Sequence, residues 1–101
     1  MNSELAAQQW IHKALEFYIN EEIEQSIAAI TLSVNIHKSH LTFALREFMI
    51  DRQCRAILDL LAEKQVLEAK NRLYTARMLL PYSKLLQQLN AFADYLLVKP
   101  G

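Results

Sequence analysis

Histidine and cysteine are the side chains here best suited to metal or nucleophilic chemistry, and the chain has only three histidines and one cysteine. His37 and His40 lie three residues apart, with Glu24 and Glu47 as the only nearby carboxylates. A metal site needs ligands that converge on one point. The polar joint at Ser39 separates the two histidines, so we expect surface or joint histidines and no metal site.

The run His37-Lys38-Ser39-His40 resembles the active site of histidine-containing phosphotransfer domains in composition, but not in order. Those domains use His-x-x-Lys-Gly, in which the lysine and a small residue leave room for the phosphoryl group. Lys38 directly follows His37, and Phe43 stands three residues after His40. The motif fails at both histidines, so the sequence argues against phosphotransfer.

Cys54 lies at helical spacing with Ile50, Ile57 and Leu61, which predicts a buried structural thiol. A single cysteine excludes an intramolecular disulfide and a cysteine-based zinc site. The chain has no Gly-rich phosphate loop, no HExxH and no Ser-His-Asp order. The sequence therefore predicts no catalytic residue and no cofactor, and we expect a protein that is not an enzyme.

Glycine occurs once and proline twice in 101 residues, so the sequence lacks the turns that connect the two strands of a β-hairpin. Apolar residues instead recur at helical spacing. The pattern predicts one all-α domain over residues 1–101, with about five antiparallel helices arranged as helical hairpins or a compact helical bundle. The predicted helices cover residues 3–20, 21–34, 40–63, 66–80 and 83–97.

Five residues mark the predicted helix ends. Ser3, Ser39 and Ser83 are N-cap candidates, Asn20 is expected to end the first helix in a left-handed conformation, and Pro81 stops the fourth. The apolar stripe of residues 40–63 changes phase near residues 50–51. We favour one long helix there over two helices with a kink.

Residues 50–83 resemble a tetratricopeptide repeat, a helix–turn–helix unit of 34 residues. Ala69, Ala76 and Pro81 fall on its small and proline positions, and Leu60 and Leu73 on its large apolar positions. Residues 7–40 fit the same frame, with these residues on its aromatic, small and large sites: Trp10, Ala14, Phe17, Ser26, Ile30 and Ser33.

The sequence also departs from the tetratricopeptide pattern. The two frames start 43 positions apart instead of 34, and the extra residues fall in the long third helix. Lys13, Gln53 and Lys38 stand where the family has an apolar residue, a tryptophan and a proline. The resemblance implies a concave helical face that grips a helix or peptide of a partner, as in small bacterial secretion chaperones.

Net charge is zero but unevenly distributed. Residues 1–37 hold five Glu against one Lys, a net −4, and residues 38–101 hold ten Lys and Arg against six Asp and Glu, a net +4. The basic side chains alternate with acidic ones, which is typical of solvated helix faces. An alternative function is a transcriptional regulator that binds nucleic acid through these arginines: Arg46, Arg52, Arg55, Arg72 and Arg77.

The apolar fraction is 52%, more than a small helical monomer easily hides. Leu67, Tyr74 and Met78 share a face separate from the main stripe of the fourth helix. The leading hypothesis is a protein–protein interaction module, a small adaptor, chaperone or inhibitor. Its partner would be a helix or peptide of another protein, or a second copy of the chain. The predicted partner-binding residues are Leu67, Tyr74, Met78, Tyr82, Leu86 and Tyr95.

The sequence also predicts where in the cell the protein is located. No apolar run approaches the roughly 20 residues of a membrane span. The first residues, MNSELAAQQW, lack the basic region and apolar core of a signal peptide. Together with the single cysteine, these features predict a cytoplasmic protein.

Overall fold

The computed structural model of the chain describes residues 2–98, and within them it contains five α-helices and no strand. The helices are α1 (Ser3–Ile19), α2 (Ile23–Ile36), α3 (His40–Ala62), α4 (Val66–Leu79) and α5 (Lys84–Val98). The predicted all-α class and the predicted number of helices are confirmed.

The chain divides into two compact units, unit 1 over residues 1–52 and unit 2 over residues 53–101. The division falls inside α3, which is a single continuous helix of 23 residues, so the favoured long helix is confirmed. Met49 is buried on the unit 1 side, and Ile57 and Leu61 are buried on the unit 2 side. The phase change of the apolar stripe therefore coincides with the division. A single domain over residues 1–101 stays a prediction.

Helix α1 begins and ends differently from the prediction. Asn2, rather than Ser3, is the N-cap, because its side-chain oxygen accepts from the backbone N–H groups of Glu4 and Leu5. Asn20 has φ −84°, and the left-handed residue is Glu21, with φ 63°. The N–H of Glu21 donates to Tyr18 and that of Glu22 to Phe17, which is a Schellman ending displaced by one residue.

The helix ends predicted at Ser39, Ser83 and Pro81 are confirmed, whereas α2 begins and ends two residues later than predicted. Ser39 and Thr42 form a reciprocal capping box, in which each backbone N–H donates to the other hydroxyl oxygen at 3.2 Å. The hydroxyl of Ser83 accepts from the N–H of Leu86 at 3.3 Å. Helix α4 ends at Leu79, two residues before Pro81.

The joint between α3 and α4 repeats the Schellman ending of α1. Lys64 is left-handed, with φ 64°. Its N–H donates to Leu61, and the N–H of Gln65 donates to Leu60. Both joints thus end a helix with a charged residue in a conformation that favours glycine.

The α1–α2 hairpin of unit 1 has small buried residues on both helices, in addition to the larger Ile27, Ile30 and Val34 of α2. Ala7 and Ala14 on α1 and Ser26 and Ser33 on α2 are all buried. The hydroxyl of Ser33 donates to the backbone oxygen of Ala7 across 2.9 Å. Because the serine side chain is short, this bond requires the two backbones to approach closely.

The α4–α5 hairpin of unit 2 combines small and large residues. Its buried positions are Ala69, Leu73 and Ala76 on α4 and Leu86, Leu89 and Ala93 on α5. Lys70 links the helices at their edge, where its Nζ donates to Asn90 Oδ1 and Asp94 Oδ1, each at 2.6 Å. The position of this clamp, early in α4 and late in α5, shows that the helices are antiparallel.

Candidate interaction surface

The outer face of α4 carries a stripe of exposed apolar side chains. Leu67 is 71% exposed, Tyr74 70% and Met78 68%. At 100° per residue these positions fall within about 40° of one another, and Ala69, Leu73 and Ala76 fall on the opposite side. Helix α4 therefore has two apolar faces, of which one forms the core of unit 2 and the other faces solvent.

A shallow concavity lies at the C-terminal end of the α4 stripe. It measures about 210 Å³ and is lined by Tyr74, Arg77, Met78 and Pro81. Pro81 ends the helix, and the next residue, Tyr82, is 92% exposed. An aromatic ring, a flexible thioether and a guanidinium around one hollow are the side-chain types enriched at protein interfaces.

The predicted residues on α5 divide between core and surface. Leu86 is 1% exposed and lies in the core of unit 2, so its assignment to the partner surface was wrong. It lies in the first turn of α5, where its backbone N–H donates to the capping hydroxyl of Ser83. Tyr95 is exposed and stacks on Phe92, with ring centroids 6.5 Å apart. Phe92 is also about half exposed.

A larger apolar groove lies in unit 2 and was not predicted. It measures about 640 Å³, and its lining comes from the end of α3, the start of α4 and the second half of α5: Leu58, Leu61, Ala62, Lys64, Val66, Phe92 and Leu96. Leu58 lies off the main apolar stripe of α3, so the sequence already indicated an apolar side chain outside the core at this position. The groove itself could not be read from spacing, because three separate elements form it.

Unit 1 has an aromatic contact between α1 and α3. The rings of Tyr18 and Phe48 are 5.6 Å apart at a tilted angle. Arg52 lies 5.8 Å from the Tyr18 ring, and its guanidinium donates to the phenol oxygen at 3.3 Å. These contacts hold the first half of α3 against α1.

The five arginines of the nucleic-acid alternative lie in both units. Arg46 and Arg52 belong to unit 1, and Arg55, Arg72 and Arg77 to unit 2. Arg52 contacts Tyr18, and Arg72 lies 3.9 Å from Glu68. Binding of nucleic acid by these residues stays a prediction.

The histidines and the cysteine considered for metal or nucleophilic chemistry do not form a common site in the described part of the chain. His37 ends α2, with its Nε2 3.8 Å from Glu4 Oε1, and His40 is exposed at the start of α3. Cys54 is buried, as predicted. Within residues 2–98, no three His, Cys, Asp or Glu side chains are grouped to hold a metal ion.

The five helices of residues 2–98 differ from membrane-spanning helices. Not one of these helices combines the length and the apolar character that crossing a bilayer requires. No family model, curated protein or solved structure matches the chain. The tetratricopeptide resemblance therefore stays a prediction based on the residues named above.

Proposed function

We propose that this chain is a non-catalytic protein–protein interaction module, which binds a helix or peptide of a partner through the outer face of α4. The observation that carries the proposal is the exposure of Leu67, Tyr74 and Met78 on one stripe, opposite a fully buried stripe of the same helix. Exposed apolar residues aligned on one face are typical of binding surfaces.

The dimensions of the α4 stripe fit a helical partner. Leu67 and Met78 are 11 residues apart, which corresponds to about 16 Å along the helix. A partner helix of three to four turns, with apolar residues at positions i, i+3 or i+4 and i+7, would cover that length. The concavity beside Tyr74 and Met78 would receive one large partner side chain, and Arg77 at its rim would favour an acidic neighbour.

The proposed binding surface consists of Leu67, Tyr74, Met78 and Tyr82, with Tyr95 as a further exposed aromatic residue in the same unit. Leu86 is excluded because it is buried. The roles of adaptor, chaperone or inhibitor, a cytoplasmic location and a tetratricopeptide-like mode of binding belong to this proposal as its finer expectations.

The test is co-purification from source cells with the wild-type chain and with Tyr74→Ala as bait. We expect Tyr74→Ala to lose the partner that wild type retains. Its midpoint of thermal unfolding should stay close to that of wild type, because the tyrosine ring is exposed to solvent. Leu41→Ala is the matched control, since Leu41 is a similarly exposed apolar residue on α3 of unit 1. A partner retained equally by the wild-type and Tyr74→Ala baits would remove this face from consideration.

A second copy of the chain is the other partner that the same surface could bind. Sedimentation equilibrium at two concentrations separates the two cases. Self-association that is lost in Tyr74→Ala identifies the partner as another copy, whereas a monomer at both concentrations leaves a different protein as the partner.

A further inference from the structure

The apolar groove of unit 2 has the size and lining of a small-molecule site. Its volume of about 640 Å³ lies within the ~300–1,000 Å³ common for ligand sites. Leu61 is buried, and Leu58 and Phe92 are about half exposed. The groove thus offers apolar side chains that are partly open to solvent.

Lys64 is the one charged residue among the described residues that line the groove. The Schellman ending of α3 holds its backbone in place, since its N–H donates to Leu61 at 3.1 Å. Its ammonium group forms no ion pair with any residue in the described part of the chain. The two nearest acidic residues in sequence have other contacts, Glu63 with Gln65 at 3.3 Å and Glu68 with Arg72.

The start of α4 adds positive potential beside Lys64. Val66, the first residue of α4, lines the groove, and the N-cap Gln65 makes no side-chain capping bond. The first N–H groups of a helix carry partial positive charge and favour a nearby anion. Lys64 and the α4 terminus therefore make this otherwise apolar groove suited to a negative group.

We propose that this groove binds a fatty acid, with the hydrocarbon chain along the apolar walls and the carboxylate at Lys64. The lining explains the preference for a hydrocarbon over an extended peptide. A peptide would bring backbone N–H and C=O groups that need hydrogen-bond partners, and the described lining supplies one polar side chain.

The experiment compares three probes that share a twelve-carbon chain: dodecanoate, dodecanol and dodecyltrimethylammonium. Each is titrated calorimetrically with the full chain, below the micelle concentration for the two charged probes and below the solubility limit for dodecanol. We expect dodecanoate to bind most tightly. Lys64→Met should weaken dodecanoate about fivefold, the upper range for one exposed ion pair, and leave dodecanol unchanged. Lys84→Met, at an exposed lysine on α5 outside the groove lining, should bind like wild type.

A second pair of variants tests the position of the chain. Ala62→Phe fills the groove and should abolish dodecanoate binding, whereas Ala44→Phe, at an exposed alanine of α3 in unit 1, should not. If Ala62→Phe does not fold, Leu58→Gln provides a second test, because it should also reduce the affinity for dodecanoate. Equal affinity for dodecanoate and dodecanol, undiminished binding in the folded groove variants, or no binding by wild type would each overturn the proposal.

This inference is independent of the partner surface on α4. Tyr74→Ala lies outside the groove lining and should bind dodecanoate like wild type. Loss of partner binding in Tyr74→Ala and loss of dodecanoate binding in Lys64→Met are therefore separate outcomes, and either proposal can fail alone.

Discussion

The α1–α2 and α4–α5 hairpins are both antiparallel helix pairs, but they are packed in different ways. In α1–α2, both helices contribute small buried residues seven positions apart, Ala7 and Ala14 facing Ser26 and Ser33. In α4–α5, α5 contributes Leu86 and Leu89 as well as Ala93. The link between helices is a short hydroxyl to a backbone oxygen in unit 1, and a long lysine side chain in unit 2.

The difference shows which property of a side chain each hairpin requires. Close backbones in α1–α2 leave no space for added volume at its small positions, although α2 also buries the larger Ile27 and Ile30. Unit 2 has leucines at its centre, so its stability depends on the volume that they fill. We therefore expect added volume at the small residues of α1–α2, and removed volume at the leucines of α4–α5, each to lower the free energy of unfolding.

Leu86→Ala should have the largest effect. Removal of a leucine that is 1% exposed leaves a cavity, and we expect the free energy of unfolding to fall by about 3 kcal/mol. Urea unfolding followed by circular dichroism measures the change. A loss below about 1 kcal/mol would mean that unit 2 does not depend on filled volume.

Ala14→Leu should lower the free energy of unfolding by about 2 kcal/mol, because the larger side chain forces the α1–α2 backbones apart. Ala14 has no exposed surface. The same urea titration applies, with Ala44→Leu at an exposed position of α3 as control, expected within about 0.5 kcal/mol of wild type. If Ala14→Leu were as stable as its control, the α1–α2 hairpin would have space for the larger side chain and would not be closely packed.

Ser33→Ala should lower stability by about 1 kcal/mol relative to Ser26→Ala. Both substitutions change helix propensity equally. Ser33 donates across to α1, however, whereas Ser26 donates to Ile23 in its own helix at 2.6 Å. The difference between the two variants in thermal or urea unfolding isolates the bond between the helices, and equal values would show that this bond adds nothing.

Glu21→Gly and Lys64→Gly should have the smallest effects, and these effects should be alike. Each relieves a left-handed charged residue, and we expect a gain of about 0.5 kcal/mol in each case, after the greater freedom of glycine in the unfolded chain is subtracted. Differential scanning calorimetry measures the gain. Opposite signs would show that the two joints are not equivalent despite their matching hydrogen bonds.

Local patterns in the sequence predicted the helices well, and their ends to within one residue in most cases. Ser39 and Ser83 were found because a cap depends on neighbours three residues away. Asn20 was wrong by one position, since the choice between Asn20 and Glu21 depends on where the chain turns toward α2. Leu86 was assigned to the surface because helical spacing does not reveal which apolar stripe meets a neighbouring helix.

The exposed stripe of α4 was visible in the sequence, since residues 67, 74 and 78 share a face at any orientation of the helix. The groove beside Lys64 was not visible. It depends on residues from three helices up to 38 positions apart, and their approach is decided by packing.

The order of residues alone thus determined an all-α chain of five helices, most of their caps, and the presence of more apolar faces than one core requires. These properties follow from interactions within a few residues. Tertiary structure alone decided which apolar face of each helix is buried, how closely each hairpin packs, and where a groove opens. Those outcomes depend on side-chain volumes that meet across helices, and no local spacing specifies them.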